Sequence, residues 1–423
     1  MAHAILALYS LARVTRASAG VPLSPEPTAS HGEDREGRSL RSCVLLHEGA
    51  YQGAGAAVAR VLPGLRELGW AQYAWFPYQG PIQQAIEPLV DGSRFKQGYF
   101  AFSVKGWRLD PGPVRRLAGL PGYFLGLRSM LAELRPDVVH ANTLLSLPEA
   151  TVAHRMGLPV VLHMHELPPP SLKTDLTLRA VAAVADVVVT VSDAVQAMFA
   201  PYAGSTSAVR VYNGMPPEVF DNPKTSLTGD RFIVGTVGAS TSRKGIDVFL
   251  DAAREVVSDC ADIDFLHLGP PPWESESFAR EIAARVHDFP DGRLTMAGFQ
   301  PAAGPLRTMD VFVMASRQEP FGLASLEAMA AGVPVIATNV GGLPEQVEHM
   351  RSGILVPPED PHAIALWIRR LRDEPALRRR LGEAGRARVM ERFPIERQYA
   401  GLDAAYREAI ARHAEGRSHS RLL

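Results

Sequence analysis

Two carboxylates that stand eight positions apart, Glu319 and Glu327, are the residues of this 423-residue chain best suited to chemistry. A Phe-Gly loop lies between them and opens a helix, and a glycine stop and a buried-strand pattern follow. A helix N-terminus presents unpaired N–H groups and a partial positive charge, so it suits an anion such as phosphate. A carboxylate accepts hydrogen bonds from hydroxyls, so it suits a sugar or a ribose. Together these preferences describe a nucleotide-sugar.

The elements that position these carboxylates alternate between strand and helix along the chain. Buried-strand patterns lie at 42–47, 138–140, 159–163, 186–191, 209–212, 232–237, 263–268, 294–297, 311–314 and 333–337. Helical patterns include 56–68, 246–257, 277–287, 321–331, 361–392 with a break near Pro375, and 397–412. Such alternation predicts an α/β fold with two doubly wound parallel sheets. Open parallel sheets bind ligands beyond the carboxyl ends of their strands, so we expect a cleft there.

The chain divides into four predicted parts. Residues 1–40 are rich in Pro, Glu, Gly and Ser and predict a disordered leader. The first sheet domain takes 41–218 and the second takes 219–394, because a proline-rich linker near residues 215–230 separates two runs of alternation. The last part, 395–423, is an amphipathic helix and a tail.

Composition narrows the class of protein. The chain is 46% hydrophobic and 21% charged with a net charge of −1, which is typical of a soluble globular protein and gives no pull toward nucleic acid. Cys43 and Cys260 are the two cysteines, and they lie in different predicted domains. We therefore expect a reduced, cytoplasmic chain without disulfides. No apolar run approaches the roughly 20 residues that span a bilayer.

Several polar or small residues fall at predicted strand ends, which favours one site over scattered polar positions. They are His47, His140, His163, Gly238, Gly269 and Ser316. His163 and His165 have strand spacing and could be metal ligands on one face, but no third ligand is apparent, so a zinc site is disfavoured. Ser192 is expected to be a helix N-cap.

From Arg41 to about Ala411 the chain resembles a glycosyltransferase of family 4, whose fold is GT-B, with two Rossmann-like domains facing a cleft. Glu319 and Glu327 match the E-x7-E motif of that family. Further matches in the second half are 235–238, 243–245, 310–316, 340–345 and 353–358. Looser matches in the first half are 53–55, 137–140, 163–166, 191–192 and 211–214.

The resemblance implies a retaining transfer of a sugar from a nucleotide-diphosphate-sugar to a hydroxyl acceptor, which is a glycan, a lipid carrier or a small molecule. It implies no required cofactor and no metal. The first domain would bind the acceptor and the second the donor, and the last helix would cross back to the first domain.

The resemblance also implies roles for single residues. His165, Glu319 and Lys244 would be catalytic, with Glu319 on the donor sugar and His165 beside the reacting centre. Glu327 would bind the ribose. The other donor-binding residues would be Gly53, Gly55, Gly238, Arg243, Phe321, Gly322 and Leu323, with Lys244 on the diphosphate. The acceptor side would comprise His47, His140 and Asn142.

One position departs from the family pattern. The family usually has Arg directly after the glycine that aligns with Gly238, and this chain has Ala239. Arg243 is the candidate to replace that cation, because Arg binds phosphate bidentately. If it does not, donor affinity is weaker or the chain is a non-catalytic sugar-binding descendant. Another GT-B enzyme, such as a sugar-nucleotide epimerase, is a further alternative.

A basic and aromatic stretch at 94–128 has seven cations and one acid with interleaved aromatic residues. It predicts peripheral contact with the inner face of a membrane, or else a solvated loop and helix with some core residues.

Overall fold

The structure is a computed structural model that describes residues 39–47, 53–96, 112–219, 231–272, 274–290, 292–300 and 303–420. Three sequence predictions therefore fall largely or partly outside the described residues. They concern the leader at 1–40, the linker near 215–230 and the basic stretch at 94–128, of which residues 1–38, 220–230 and 97–111 lie outside the described ranges.

The first sheet is seven-stranded and parallel, in the order β3-β2-β1-β4-β5-β6-β7. Its strands are β1 (Arg41–Leu45), β2 (Ala71–Phe76), β3 (Gly92–Phe95), β4 (Val138–Ala141), β5 (Val160–Met164), β6 (Val187–Thr190) and β7 (Ser207–Arg210). The helices between them are α1 (Gly53–Glu67), α2 (Pro81–Ile86), α3 (Gly112–Leu134), α4 (Leu147–Arg155), α5 (Leu172–Val184) and α6 (Asp193–Phe199).

The second sheet is six-stranded and parallel, in the order β10-β9-β8-β11-β12-β13. Its strands are β8 (Phe232–Val237), β9 (Ile263–Leu268), β10 (Leu294–Met296), β11 (Val311–Met314), β12 (Val335–Thr338) and β13 (Ile354–Val356). The helices are α7 (Ile246–Asp259), α8 (Glu276–His287), α9 (Ala303–Leu306), α10 (Leu323–Ala330), α11 (Leu343–Gln346), α12 (Pro361–Asp373) and α13 (Pro375–Arg392).

The last helix, α14 (Ile395–Ser420), packs against α1 and strands β4, β5 and β6 of the first sheet. Gln398 fixes its first turn there: its Oε1 accepts from the N–H of Gly214 at 2.7 Å, and its Nε2 donates to Asn213 at 3.1 Å. A Cβ at position 214 would lie 2.5 Å from the Cα of Ile395, so only glycine allows this close approach. The Asn-Gly pair therefore serves as a docking point for α14.

The central strands are buried on both faces, which explains their nearly continuous Val and Ile runs. An apolar cluster continues from the first sheet to the second through Met215, Phe321 and Phe393. The predicted α/β fold with two doubly wound parallel sheets is thus confirmed. Among the described residues, no helix is long and apolar enough to cross a membrane.

Three strands escaped prediction, and three helices start earlier than expected, by three residues in α1, one in α8 and two in α14. β3 is a half-exposed edge strand and β13 has three residues, so neither gives a long apolar run. β2 alternates polar and apolar residues at its start. Helix α1 begins at Gly53 rather than at residue 56, because the glycines of the expected break form its first turn.

Candidate active site

The carboxyl ends of β8 and β11 are neighbours at the centre of the second sheet, where the strand order reverses. Ligands of open α/β sheets bind at this reversal, because the loops on either side diverge and leave a crevice. The loop after β8 leads to Lys244, and the loop after β11 leads to Glu319. The topology therefore brings together residues that lie 75 positions apart in the sequence.

Lys244 ends a short 3-10 turn, Ser242–Lys244, that the Thr241 side chain caps. Gly245 follows with φ 66°, and a Cβ there would lie 1.9 Å from the carbonyl oxygen of Ala315. Only glycine fits this contact, which presses the turn against the end of β11. The Nζ of Lys244 lies 2.6 Å from Oε2 of Glu319, a carboxylate that is 6% exposed. The turn thus aims its ammonium group across the crevice.

Glu319 is held from its backbone as well as from its side chain. Its carbonyl accepts from the N–H of Gly342 at 3.0 Å, and Ser316 Oγ donates to its Oε2 at 3.2 Å. At Gly341, φ is 53°, and a Cβ would lie 1.9 Å from the same carbonyl oxygen of Glu319. The Gly-Gly loop after β12 therefore underlies Glu319 and fixes its position.

Arg317 ties the two loops together from behind. Its guanidinium donates to both carboxylate oxygens of Asp247, at 2.8 and 2.7 Å, and to the Ser242 carbonyl at 2.7 Å. It also donates to Glu359 at 2.8 Å, and its own N–H donates to the Arg243 carbonyl at 2.9 Å. The hydrogen bonds with Asp247 raise the pKa of Arg317. With its guanidinium committed in this way, Arg317 supports the site rather than offering charge to a ligand.

Helix α10 presents its N-terminus to the crevice. Its N-cap, Gly322, has φ 103° and no side chain to bond the N–H groups of the first turn. Ser325 Oγ turns back to the Gly322 carbonyl at 2.8 Å and to Gln346 at 2.6 Å. The helix start is therefore rigid, and its partial positive charge is available to an anion.

Glu327, in the second turn of α10, forms an ion pair with Arg60 of helix α1. The pair joins the two sheet systems across the cleft. A second polar contact links them elsewhere: Glu345 accepts from the N–H groups of Asp193 and Ala194, at 2.8 and 3.1 Å, and so caps helix α6 from the opposite side. Ser192 is the internal N-cap of α6, as predicted.

The rings of Tyr212 and Phe321 also bridge the two sheet systems, with centroids 5.7 Å apart in a stacked arrangement. Phe393 contacts both rings edge-on, at 5.2 Å from Tyr212 and 5.9 Å from Phe321. Phe321 belongs to the loop that opens α10, so this aromatic contact braces the helix start from the first-sheet side.

The carboxyl edge of the first sheet gathers the predicted acceptor-side residues. Asn142, after β4, donates from Nδ2 to the Ala54 carbonyl at 3.1 Å, which ties this edge to the glycine turn at 53–55. His140 bonds through Nδ1 to the Tyr406 hydroxyl of α14 at 2.7 Å. The His163 ring stacks on His140 with centroids 5.4 Å apart and lies 4.0 Å from the His165 ring.

Burial keeps these imidazoles neutral. It lowers the pKa of His140 and of His165 to about 3, and that of His47 to about 4. The pKa of His163 is also well below 6.5, because burial is reinforced by the neighbouring rings of His165 and His140. At neutral pH, His165 can therefore accept or donate a hydrogen bond as a neutral ring but adds no positive charge.

Glu166 lies next to His165, and sequence reasoning gave it no role. Its Oε2 accepts from the N–H groups of Leu144, at 3.2 Å, and of His165, at 3.1 Å. Burial raises its pKa to about 7, against the opposing effect of these bonds. The carboxylate fixes the backbone of the loops after β4 and β5, and so orients His165.

Two family models match the chain, one in each half. The model described as Glycosyltransferase Family 4 matches residues 51–219, and the model described as Glycosyl transferases group 1 matches residues 231–374. A D-inositol 3-phosphate glycosyltransferase of Thermobispora bispora is 30% identical over 341 residues, which cover 71% of this chain and 79% of that protein. The chain belongs to glycosyltransferase family 4.

Other relatives are matched over a smaller part of their length. A D-inositol 3-phosphate glycosyltransferase of Streptomyces bingchenggensis is 44% identical, but the alignment covers 26% of this chain and 24% of that protein. A capsular polysaccharide biosynthesis glycosyltransferase, CapM of Staphylococcus aureus, is 30% identical over 48% of this chain and 55% of that protein. The chain thus spans between a quarter and about half of the length of these relatives.

Among solved structures, the fold resembles Anabaena Alr3699/HepE in complex with UDP-glucose, with a TM-score of 0.73 and 19% identity. The match covers 86% of this chain and 99% of that one. At this identity the likeness shows the GT-B fold alone, and the predicted fold class is confirmed.

The predicted site residues of this family 4 chain fall into two groups. Lys244, Glu319 and Glu327 lie on the second sheet with Gly238, Arg243, Phe321, Gly322 and Leu323. His47, His140, Asn142 and His165 lie on the first sheet with Gly53 and Gly55. Among the described residues, no three His, Cys, Asp or Glu side chains are arranged to hold a metal ion.

Arg243 is the residue that the sequence suggested as a replacement for the family's missing cation. It follows Ser242 in the same turn as Lys244, and its Nη1 donates a single long bond of 3.2 Å to the Gln318 carbonyl. Its guanidinium is therefore much less committed than that of Arg317. Sequence reasoning missed Arg60, Arg317 and Glu345 as contacts of the site. For Arg60 the sequence does give one signal, because this arginine interrupts a run of apolar residues in α1.

Proposed function

We propose that this family 4 protein transfers a sugar from a nucleoside-diphosphate-sugar to a hydroxyl acceptor, with retention at the anomeric carbon. The observation that carries the proposal is the Lys244–Glu319 pair at 2.6 Å, beside the open N-terminus of α10. This arrangement combines a cation and N–H dipoles for a diphosphate with a carboxylate for sugar hydroxyls.

The donor diphosphate is the leaving group, so negative charge grows on its oxygens in the transition state. The Lys244 ammonium has three N–H donors and uses one on Glu319, which leaves two for the diphosphate. Arg243 and the first-turn N–H groups of α10 add further donors. Fixed donors of this kind typically contribute about 3 kcal/mol each to lowering the barrier.

Retention follows in this proposal from attack on the face that the diphosphate leaves. Among the described residues near Glu319, none stands out as a covalent nucleophile, and the leaving phosphate can take the acceptor proton. His165, a neutral ring on the opposite wall, donates or accepts a hydrogen bond beside the reacting centre. We also propose that no metal or cofactor is required, because the chain's own cations and helix dipole supply the positive charge.

The acceptor is proposed to bind against the first sheet, at His47, His140 and Asn142. We further propose a cytoplasmic protein that contacts the inner membrane face through the stretch 94–128. Support comes from the described ends of that stretch, where Phe95 is 38% and Leu125 is 64% exposed. Co-sedimentation with anionic vesicles at low salt tests this contact, and a protein that stays in the supernatant contradicts it.

A thermal-shift panel of UDP-, GDP- and ADP-sugars tests the donor. The right donor should raise the melting temperature, because it binds the folded chain alone. Transfer to candidate acceptors is then followed by NMR, and the anomeric configuration of the product reports retention. Inversion, or conversion of the donor to an epimer without an acceptor, contradicts the proposal.

A further inference from the structure

The ion pair between Arg60 and Glu327 is a contact that bridges the cleft at the proposed ribose site. Arg60 lies on α1 beside the first sheet, and Glu327 lies on α10 beside the second. The two residues are 267 positions apart, and their side chains are 17% and 19% exposed. A pair so shielded from water and so distant in sequence differs from the exposed pairs of this surface, such as Arg66 and Asp91 at 45% and 41%.

The helix that carries Arg60 is itself fixed to the acceptor side. The Ala54 carbonyl, in its first turn, accepts from Asn142 at 3.1 Å. Arg60 follows Ala54 by six residues in the same helix. Its Nη1 also approaches Met215 Sδ at 3.9 Å. The guanidinium is thus held at the cleft by a rigid element.

The contact occupies only part of the carboxylate. Arg60 reaches Oε1 of Glu327 through Nη2. A carboxylate has about four acceptor positions on its two oxygens, so Oε2 remains for a ribose hydroxyl while the pair persists.

We propose that Arg60 is a donor-positioning residue, which orients Glu327 toward the ribose and holds the cleft closed over a nucleoside diphosphate. This rests on the proposed function. In the competing arrangement Arg60 would only fill the ribose site until the donor displaces it. The two arrangements predict opposite changes in donor affinity. Removal of a positioning residue weakens donor binding, whereas removal of a competitor strengthens it.

Calorimetric titration with UDP, GDP and ADP measures the direction of this affinity change in the wild-type chain, R60A and R60K. We expect R60A to weaken binding of the preferred diphosphate about tenfold, with R60K intermediate because it keeps the charge but loses the planar fork. R66A is the matched control, since Arg66 lies on the same helix and pairs only at the surface. Its affinity should equal the wild type.

Two further readouts separate positioning from a merely structural role. Higher ionic strength should weaken diphosphate binding less in R60A than in the wild type, because the screened ion pair is already absent. With a saturating acceptor and a varied sugar donor, R60A should raise the donor KM about tenfold and leave kcat within about threefold. The reason is that the ribose contact of Glu327 is made equally in the bound ground state and in the transition state. X-ray scattering should show a larger radius of gyration for unliganded R60A.

Equal or tighter diphosphate binding by R60A would overturn the assignment, as would an unchanged radius of gyration. If the wild-type chain binds neither UDP, GDP nor ADP, the proposed function fails, and this inference fails with it. If the wild type binds and R60A binds equally, only the inference about Arg60 fails.

Discussion

The two sides of the cleft differ in charge. We call the carboxyl edge of the second sheet the charged wall and the carboxyl edge of the first sheet the neutral wall. On the second sheet, charged groups are paired with one another, as in Lys244 with Glu319 and Arg317 with Asp247. On the first sheet, the corresponding edge carries neutral, buried imidazoles such as His140 and His163. Several of their ring nitrogens have no hydrogen-bond partner among the described residues, including both of His163.

This difference fits the proposal that one wall binds the donor diphosphate and the other binds the hydroxyl acceptor. A leaving diphosphate needs fixed positive charge, and paired ions keep that charge in place before the donor arrives. A hydroxyl acceptor is neutral, so its wall needs hydrogen-bonding groups without a net charge. Nε2 of His165, which has no hydrogen-bond partner among the described residues, can offer such a group.

The largest effect is expected at the charged wall, from Lys244→Met. The variant loses the fixed cation that faces the leaving group, and we expect kcat to fall about 100-fold or more. Steady-state transfer assays measure the loss, and the melting temperature checks folding. Arg254→Ala is the control, since Arg254 pairs with Asp288 at 51% and 56% exposure. Full activity in Lys244→Met contradicts the division between the walls.

Arg317→Met tests whether the paired ions position the loops. It leaves the Asp247 carboxylate, 13% exposed, without its cation, so the free energy of unfolding should fall by about 2–3 kcal/mol. Urea unfolding measures this change. The double variant with Asp247→Asn should regain part of the stability but keep a raised donor KM, because the bond to the Ser242 carbonyl is still missing. A normal donor KM in both variants would show that the loops after β8 and β11 keep their positions without Arg317.

Acid should affect the neutral wall first. Burial lowers the folded-state pKa of His140 from 6.5 to about 3. As pH falls below 6.5, the unfolded chain takes up the proton and the folded chain does not, so stability is lost down to about pH 3. Above pH 6.5 this titration has no effect. Such a group costs about 2 kcal/mol of stability at pH 5.

Urea unfolding at pH 7.5 and pH 5 measures the loss. His140→Gln should show a smaller difference between the two pH values than the wild type, since its amide can still bond Tyr406 but does not titrate. Asp251→Asn is a control on an exposed ion pair of the second-sheet side. An unchanged difference in His140→Gln would mean that folding does not lower the pKa of His140.

The smallest effect is expected at the contact between Glu345 and the N-terminus of α6, which joins the two sheet systems outside the proposed reaction site. Glu345→Gln keeps the shape but removes the charge that caps α6, which should cost about 1 kcal/mol. Thermal unfolding measures it. Ser192→Ala, which removes only the internal cap of the same helix, is the comparison. If only Glu345→Gln also widens the molecule in solution scattering, the contact holds the walls together as well as the helix.

The sequence predicted the charged wall far better than the neutral one. Motifs such as Glu319 to Glu327 or Arg243 to Gly245 are local, because one loop supplies each group and glycine marks where the backbone must turn. Strands 232–237, 263–268 and 311–314 were predicted at the residues where the structure has them, since their apolar runs are bounded by turns. The roles of these residues stay predictions.

What escaped prediction depends on contacts between distant segments. Arg60 meets Glu327 only because the two sheets face each other, and Arg317 resembles a surface arginine until Asp247 is placed behind it. Likewise, burial raises the pKa of Glu166, while a hydrogen bond from the loop after another strand opposes that rise. Local patterns carry no signal for such pairs, and one sequence offers no second chain in which to see them vary together.

The crossing of α14 has a consequence for how the molecule is made. Tyr406, which bonds His140, and Asp403, which bonds the Trp70 indole at 2.7 Å, leave the ribosome after both sheets have been synthesised. The first sheet is therefore translated early, but the face that α14 covers stays uncovered until the last segment of the chain has been synthesised. The later-translated sheet carries its own helices and can close sooner. The first sheet, although it is synthesised first, is therefore the last to receive all of its covering helices.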